Sequence, residues 1–432
     1  MGRYEGWPGV LSGAALAVLL SLVLLIRADT PPLTPAQTVA TGHFFPLVQW
    51  ELDNLLDKWP LLLADTLLGR KPDRDERLAQ VDDYLVLARL ADKEQDRLEG
   101  RLPGSLSAKD IGSQQREYLD ELLSSKEALR GPVEEEVEAE ISAVLEREGL
   151  ASRFGTLFPP VDLRFGRPPT ILVTSPRNRI ARLEGVLLSP DLPVMERDRL
   201  ESEILGRYDL SALVFDLAGL STYPTLVSDL DPLREVLRTG AHEWLHAYFF
   251  FRPLGWNIGS SAEMFTINET AADLAGRELG DLTFARMGGD LSESSLRYLP
   301  PEKRNPVFTR EMRETRLGVD ELLGQGKVEE AEEYMKERWW RLALGGYRLR
   351  KLNQAYFAFR GVYAEAPGSV SPIGDQLREL RSLLPDVGTF VRTVAGVSSH
   401  REFLELLEAL RSESPDPPGP DETSPTAAFS NP

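Results

Sequence analysis

The stretch DPLREVLRTGAHEWLHAYFFFR, Asp231 to Arg252, decides the fold. Asp231 and Pro232 supply a helix N-cap and first turn. Charged residues (Arg234, Glu235, Arg238 and Arg252) stand at both ends of the segment, and the part between Leu245 and Phe251 is apolar. Positions i and i+4 of a helix lie one above the other on one face, so His242 and His246 can present two imidazole nitrogens to a single metal ion. Glu243 stands one step round, within reach of a water that such a metal activates. HExxH is short and arises by accident in amphipathic helices, but the chain has only 4 histidines (His43, His242, His246, His400) and two of them fall in this pattern. The chemistry that the pattern serves is metal-assisted hydrolysis, in which the metal lowers the pKa of water to about 7 and a carboxylate takes the proton.

A catalytic zinc keeps three protein ligands and one open position. The segment NETAADLAGRELG, Asn268 to Gly280, offers Glu269 with Asp273 four residues on, again on one helical face. Glu269 can bind the metal while Asp273 orients a ligand histidine through its other ring nitrogen. Ala271, Ala272, Ala275 and Gly276 keep this second helix slim enough to lie close to the first. Glu263 is the rival third ligand; the asparagine before Glu269 and the aspartate after it favour Glu269. A metzincin would need glycine at 249 and histidine at 252, where this chain has Phe249 and Arg252.

HEWLH followed by the NExxAD-like segment (Asn268, Glu269, Ala272, Asp273) resembles the gluzincin superfamily of zinc metallopeptidases, which includes thermolysin-like enzymes and several aminopeptidase families. The resemblance implies one zinc ion per chain held by His242, His246 and Glu269, with Glu243 as general base, Asp273 behind the ligands, and a peptide or protein as substrate. Between His246 and Glu269 lie 22 residues, of which RPLGWNIGSS is expected to loop out. No GxMEN-like segment precedes HEWLH, so exopeptidase and endopeptidase both stay open.

The rest of the chain bounds this reading. A net charge of −19 argues against nucleic acid as a partner, because a phosphate-binding surface needs a basic patch. Without cysteine there is neither disulfide nor thiolate ligand. Val10 to Ile26 is an uncharged run of 17 residues, apolar all round, and reads as a transmembrane anchor, with a cleaved signal as the alternative. Either way the remainder is expected outside the cytoplasm, on a single-pass cell-membrane protein or secreted. The charges at both ends of the HEWLH helix argue against an intramembrane site.

The expected fold class is α+β: a membrane-anchored, zincin-like catalytic domain with a small mixed sheet and active-site helices, flanked by α-helical regions. The expected boundaries are 27–40 for a proline-rich extended linker, 41–150 for an α-helical region, 155–290 for the catalytic domain, 291–412 for a helical lobe and 413–432 for a disordered tail. In the first helical region the pattern gives Phe44 to Leu68, Arg74 to Leu98, Ser113 to Leu129 and a restart at Pro132. There the acidic run Glu134 to Glu140 reads as a solvated face, and His43, beside Phe44, Phe45 and Trp50, as a packing or interfacial residue. Strands are expected at Thr170 to Thr174, Leu183 to Leu188 and Ala212 to Leu217, with a helix near Val194 to Leu205. Ser221 to Asp229 reads as an edge strand, because Pro224 cannot donate within a ladder. Beyond residue 291 helices are expected over Arg310 to Leu344, Tyr347 to Val362, Asp375 to Leu383 and Arg401 to Leu410. This lobe is expected to supply a tyrosine to stabilise an oxyanion, Tyr363 before Tyr356, while Trp339 and Trp340 pack it. The rival to a peptidase is a catalytically silent metal-binding scaffold at the membrane, against which the general base Glu243 counts.

Overall fold

The computed structural model describes residues 32–55, 73–99, 113–152, 155–292, 306–363 and 366–413. The apolar run Val10 to Ile26 and the tail from 414 lie outside the described residues, among which no helix is long and apolar enough to cross a membrane. In chain order the elements are α1 (Pro35–Val39), α2 (Leu47–Leu55), α3 (Arg74–Leu98), α4 (Ser113–Arg147), β1 (Leu163–Gly166), β2 (Thr170–Pro176), β3 (Glu184–Leu188), α5 (Val194–Tyr208), β4 (Leu210–Asp216), β5 (Gly219–Leu220), β6 (Thr225–Ser228), α6 (Leu233–Phe250), α7 (Pro253–Trp256), α8 (Ala262–Arg286), α9 (Pro306–Gly324), α10 (Val328–Leu344), α11 (Gln354–Arg360), α12 (Ile373–Ser382), α13 (Val387–Ala395) and α14 (His400–Glu413). The class is mixed α+β, with two sheets of 3 strands each, β1-β6-β5 and β3-β2-β4.

Several elements differ from expectation, each for a local reason. Thr34 caps α1: its Oγ1 accepts from the Gln37 amide at 3.2 Å, and Gln37 Oε1 accepts from the Thr34 amide at 3.1 Å. This reciprocal pair starts a helix where an extended linker was expected, and Ala36, Val39 and Ala40 are buried in the core around β2, β3, β4 and α5. His43 forms an ion pair with Glu196 at 2.9 Å.

α4 runs through Pro132 without stopping. A proline inside a helix costs about 3 kcal/mol, but Val133, Val137, Ile141, Val144 and Leu145 are buried just beyond it, and each such side chain contributes about 1.5–3 kcal/mol. Burial wins. The acidic run in α4 is not a solvated face either, since Glu134, Glu136 and Glu140 are buried. Glu134 and Glu138 accept from the amides of Phe165 and Leu163, both at 2.7 Å, while Glu136 takes Arg77 at 2.5 Å and Glu140 takes Arg74 at 2.9 Å and Arg286 at 2.7 Å. These carboxylates fasten α4 to β1, α3 and α8.

The segment expected as an edge strand is instead the centre of its sheet. β6 pairs parallel with β1 (Leu163 opposite Thr225) and antiparallel with β5 (Gly219 opposite Val227). Pro224 falls just before the first ladder residue, so no hydrogen bond is asked of it. The edges are β1 and β5.

The elements gather into two lobes that do not follow the expected boundaries. In the first, α3, α4, β1 and β6 share one core with α6, α8 and the late helices α12, α13 and α14; Ile141, Phe165, Leu245, Ile267, Leu377 and Phe390 are among its buried side chains. In the second, the β3-β2-β4 sheet is covered by α1 and α5 on one side and α11 on the other, and α9 and α10 pack beyond. The chain therefore passes back and forth between lobes instead of finishing one before starting the next.

Within the first lobe α6 and α8 lie against each other with almost no side chain between them. A Cβ on Gly276 would stand 2.8 Å from His242 Cα, and one on Gly280 would stand 2.5 Å from Arg238 Cα. Real Cβ atoms do not approach backbone so closely, so Gly276→Ala must push the helices apart. We expect it to lower stability by about 1–3 kcal/mol in thermal or urea unfolding. Gly259→Ala, at a site with no neighbour within 4 Å, should leave stability unchanged.

Candidate metal centre

α6 begins at Leu233, with Pro232 in the capping position, and its start is pinned from behind. The turn leading into it carries buried Asp229, whose Oδ2 accepts from the Tyr84 hydroxyl at 2.8 Å and meets Lys126 Nζ at 2.7 Å. Its Trp244, three positions after Ala241, donates through Nε1 to the Pro159 carbonyl at 3.0 Å. These contacts fix the rotation of α6 about its axis, which turns His242, Glu243 and His246 toward the gap between the lobes.

His242, His246 and Glu269 each offer one ligand atom, and these atoms all lie within 4.8 Å of one another. The two Nε2 atoms are 3.1 Å apart, and His246 Nε2 is 3.7 Å from Glu269 Oε2. For ligands about 2.0–2.1 Å from a tetrahedral ion, the edges of the ligand polyhedron are about 3.4 Å, so the two edges at 3.1 and 3.7 Å bracket a size that could hold a metal ion. The orientation fits as well. His246 Nδ1 donates to Asn268 Oδ1 at 2.9 Å, which leaves Nε2 with its lone pair directed at the partner imidazole. The His242 ring is hydrogen-bonded to the backbone of Ala272. Two ring nitrogens held this way face each other and call for a cation between them. Burial, followed by the neighbouring His246, pushes the His242 imidazole down to about 3, so it stays neutral and able to bind a metal.

Glu243 is beside this triangle and outside it. Burial is the first cause that pushes its carboxyl up to about 7, opposed by His246 and assisted by Glu269. A carboxyl in that range can both take and return a proton near neutrality. Above it lies edge strand β5: a Cβ on Gly219 would stand 2.9 Å from Glu243 Cγ, and Ser221 Oγ donates to the Glu243 carbonyl at 3.1 Å. No strand lies beyond β5 among the described residues.

The second lobe contributes Tyr363, just past α11. It is half-buried beside Glu269 and Glu243, and burial, then Glu269, then Glu243 raise its pKa well above the ordinary phenol value, so it stays protonated and able to donate. Tyr356 instead packs in the second lobe, its ring 6.2 Å from Phe215, and Trp339 donates to the Leu349 carbonyl at 2.6 Å. Glu263 sits exposed in the first turn of α8 and does not join the ligand triangle.

Asp273 does not take the position foreseen for it. Its Oδ1 accepts from Arg277 Nε at 3.0 Å, and Asn268 holds the ligand histidine. Asn268 is one residue before Glu269, hence about 100° further round the helix, and this aims its amide at the back of His246. The available signal was the polar residue itself at an otherwise apolar, buried stripe. Gly219 left no signal, because a two-residue strand has no period to read.

Comparison with protein-family models, with curated proteins and with solved structures finds no match to this chain.

Outer partners of ligand histidines are worth about 10–100-fold in metal affinity. Asn268→Ala should lose that much in a zinc titration against a competing chelator, whereas Asp273→Ala should shift it far less. The opposite ranking would return the orienting role to Asp273.

Proposed function

We propose that this chain is a zinc-dependent peptidase of the gluzincin kind, its α+β fold forming a zincin-like cleft between the two lobes. The observation that carries the proposal is the convergence of Glu269 on the histidine pair, with Glu243 and the Tyr363 hydroxyl near enough for their charges to interact with it. A structural metal site would need neither of the last two. A zinc ion held there supplies a Lewis acid that polarises a carbonyl and lowers the pKa of water to about 7.

The chain's own residues do the rest. An extended peptide adds to the unpaired edge of β5, where main-chain hydrogen bonds hold it across the mouth of the site. Glu243 takes a proton from the attacking water and returns it to the leaving amine, so that the carboxyl ends as it began. Tyr363 donates to the oxygen on which negative charge develops. Asn268 keeps His246 in the tautomer whose Nε2 faces the cleft. The apolar run Val10 to Ile26 would tether this cleft to a cell membrane, with the described residues on the extracytoplasmic side.

The test is mass-spectrometric sequencing of products from a peptide library incubated with the zinc-loaded full chain. Glu243→Gln should retain zinc and lose at least ~10³ of the turnover, a loss in the range expected when both acid and base roles vanish. Tyr363→Phe should lower kcat by about 10²-fold with little change in KM. A zinc-loaded wild-type protein that cuts nothing would favour the scaffold.

A further inference from the structure

Two arginines stand near Tyr363, around the ring of Phe359. Phe359 on α11 lies one helical turn before Tyr363, the ring centroids 6.1 Å apart. Over the Phe359 ring lie the guanidiniums of Arg182, at 5.8 Å, and Arg360, at 5.6 Å. Arg182 belongs to the β2–β3 connection of the second lobe, yet it also lies 5.7 Å from the ring of Phe265, one turn before Glu269 on α8 of the first lobe. Arg182 thus spans the two lobes one helical turn from Glu269, while Arg360 lies over Phe359 and Phe215 of the second lobe, the latter at 5.8 Å. Arg360 is close enough for its charge to act on the Tyr363 hydroxyl.

Both arginines are exposed, and neither meets a carboxylate among the described residues. This is not for want of acidic groups in a chain with 68 Asp and Glu against 49 Lys and Arg. Arg177, on the same connection as Arg182, bonds Asp209 at 2.7 Å and Glu332 at 2.7 and 2.8 Å. Aromatic rings steady a guanidinium without neutralising it, so among the described residues the planar donor fork is left for an anion. Two like charges near one ring also repel, and an anion that meets both guanidiniums would relieve that repulsion.

We propose that Arg182 and Arg360 form a carboxylate clamp that makes the cleft selective for peptides bearing an acidic group a few residues from the bond to be cut. The group is an Asp or Glu side chain or the terminal carboxylate of the substrate. The proposal rests on the peptidase reading for its consequence, and its test is a binding measurement that does not need turnover.

Fluorescein-labelled peptides would be titrated by anisotropy against the zinc-loaded Glu243→Gln chain, in pairs differing only as Asp against Asn or as free acid against C-terminal amide. The acidic member of at least one pair should bind about 10-fold more tightly, and which pair responds identifies the source of the carboxylate. The preference should shrink in Arg182→Gln and in Arg360→Gln, vanish in the double variant, survive in part in Arg182→Lys, and fall with added salt. Melting curves would confirm that each variant is folded. Equal affinity within both pairs, preference persisting in the folded double variant, or no binding by any peptide would overturn the clamp. Cleavage of neutral peptides by the wild-type chain would leave the peptidase reading standing in each of those cases.

Discussion

The site depends on two helices touching backbone to backbone. Helices usually pack with axes 8–10 Å apart, separated by side chains; between α6 and α8 the glycines at 276 and 280 remove that layer where it faces His242 and Arg238. Beside them the seam is closed by charge, with Arg234 and Arg238 each donating to Asp281 Oδ1 at 2.7 Å. Burial alone would raise the Asp281 carboxyl, but the hydrogen bonds from these two arginines hold it below its ordinary range. Close packing at Gly276 and Gly280, continued by the carboxylate of Asp281 beside them, sets the register between the helices. That register is what delivers Glu269 and Asn268, about two turns further along, to His246.

The lobes divide the chemistry between them. Every candidate metal ligand and Glu243 come from the first lobe, while Tyr363, Arg182 and Arg360 reach in from the second. Tyr363 stands close enough to Glu269 for the charge of one to act on the other, so the second lobe reaches the ligand set. The late helices α12 to α14 are not a cover laid over the cleft; they are packed into the same core as α6 and α8.

The parts of the molecule that were legible in the sequence are those whose signal is local. The HEWLH helix announces itself by rare residues at a helical spacing, and β2, β3 and β4 by short apolar runs placed within a few residues of their observed ends. What could not be read depends on partners far along the chain. β1 and β5 are strands only because β6 lies between them. Pro132 looked like a boundary because its cost is local and its compensation is not. Glu134 and Glu140 looked solvated because the amide and arginines that receive them come from β1, α3 and α8. Asn268 and Asp273 are both polar residues flanking Glu269, and only the position of α6 decides which of them meets a histidine. Tyr363 was reached by counting tyrosines in a helical lobe; its closeness to Glu269 is a property of how the lobes meet.

The β1-β6-β5 sheet has two rims, and the molecule treats them differently. On the β1 rim the outward amides of Leu163 and Phe165 are taken by Glu138 and Glu134. A stray chain arriving there would have to displace buried carboxylates to find a donor, so that rim is sealed against adventitious strand pairing. The β5 rim has no such seal from α4. The two edges of the sheet are therefore unequal, and the acidic stretch of α4, far from β5 in sequence, is what makes them so.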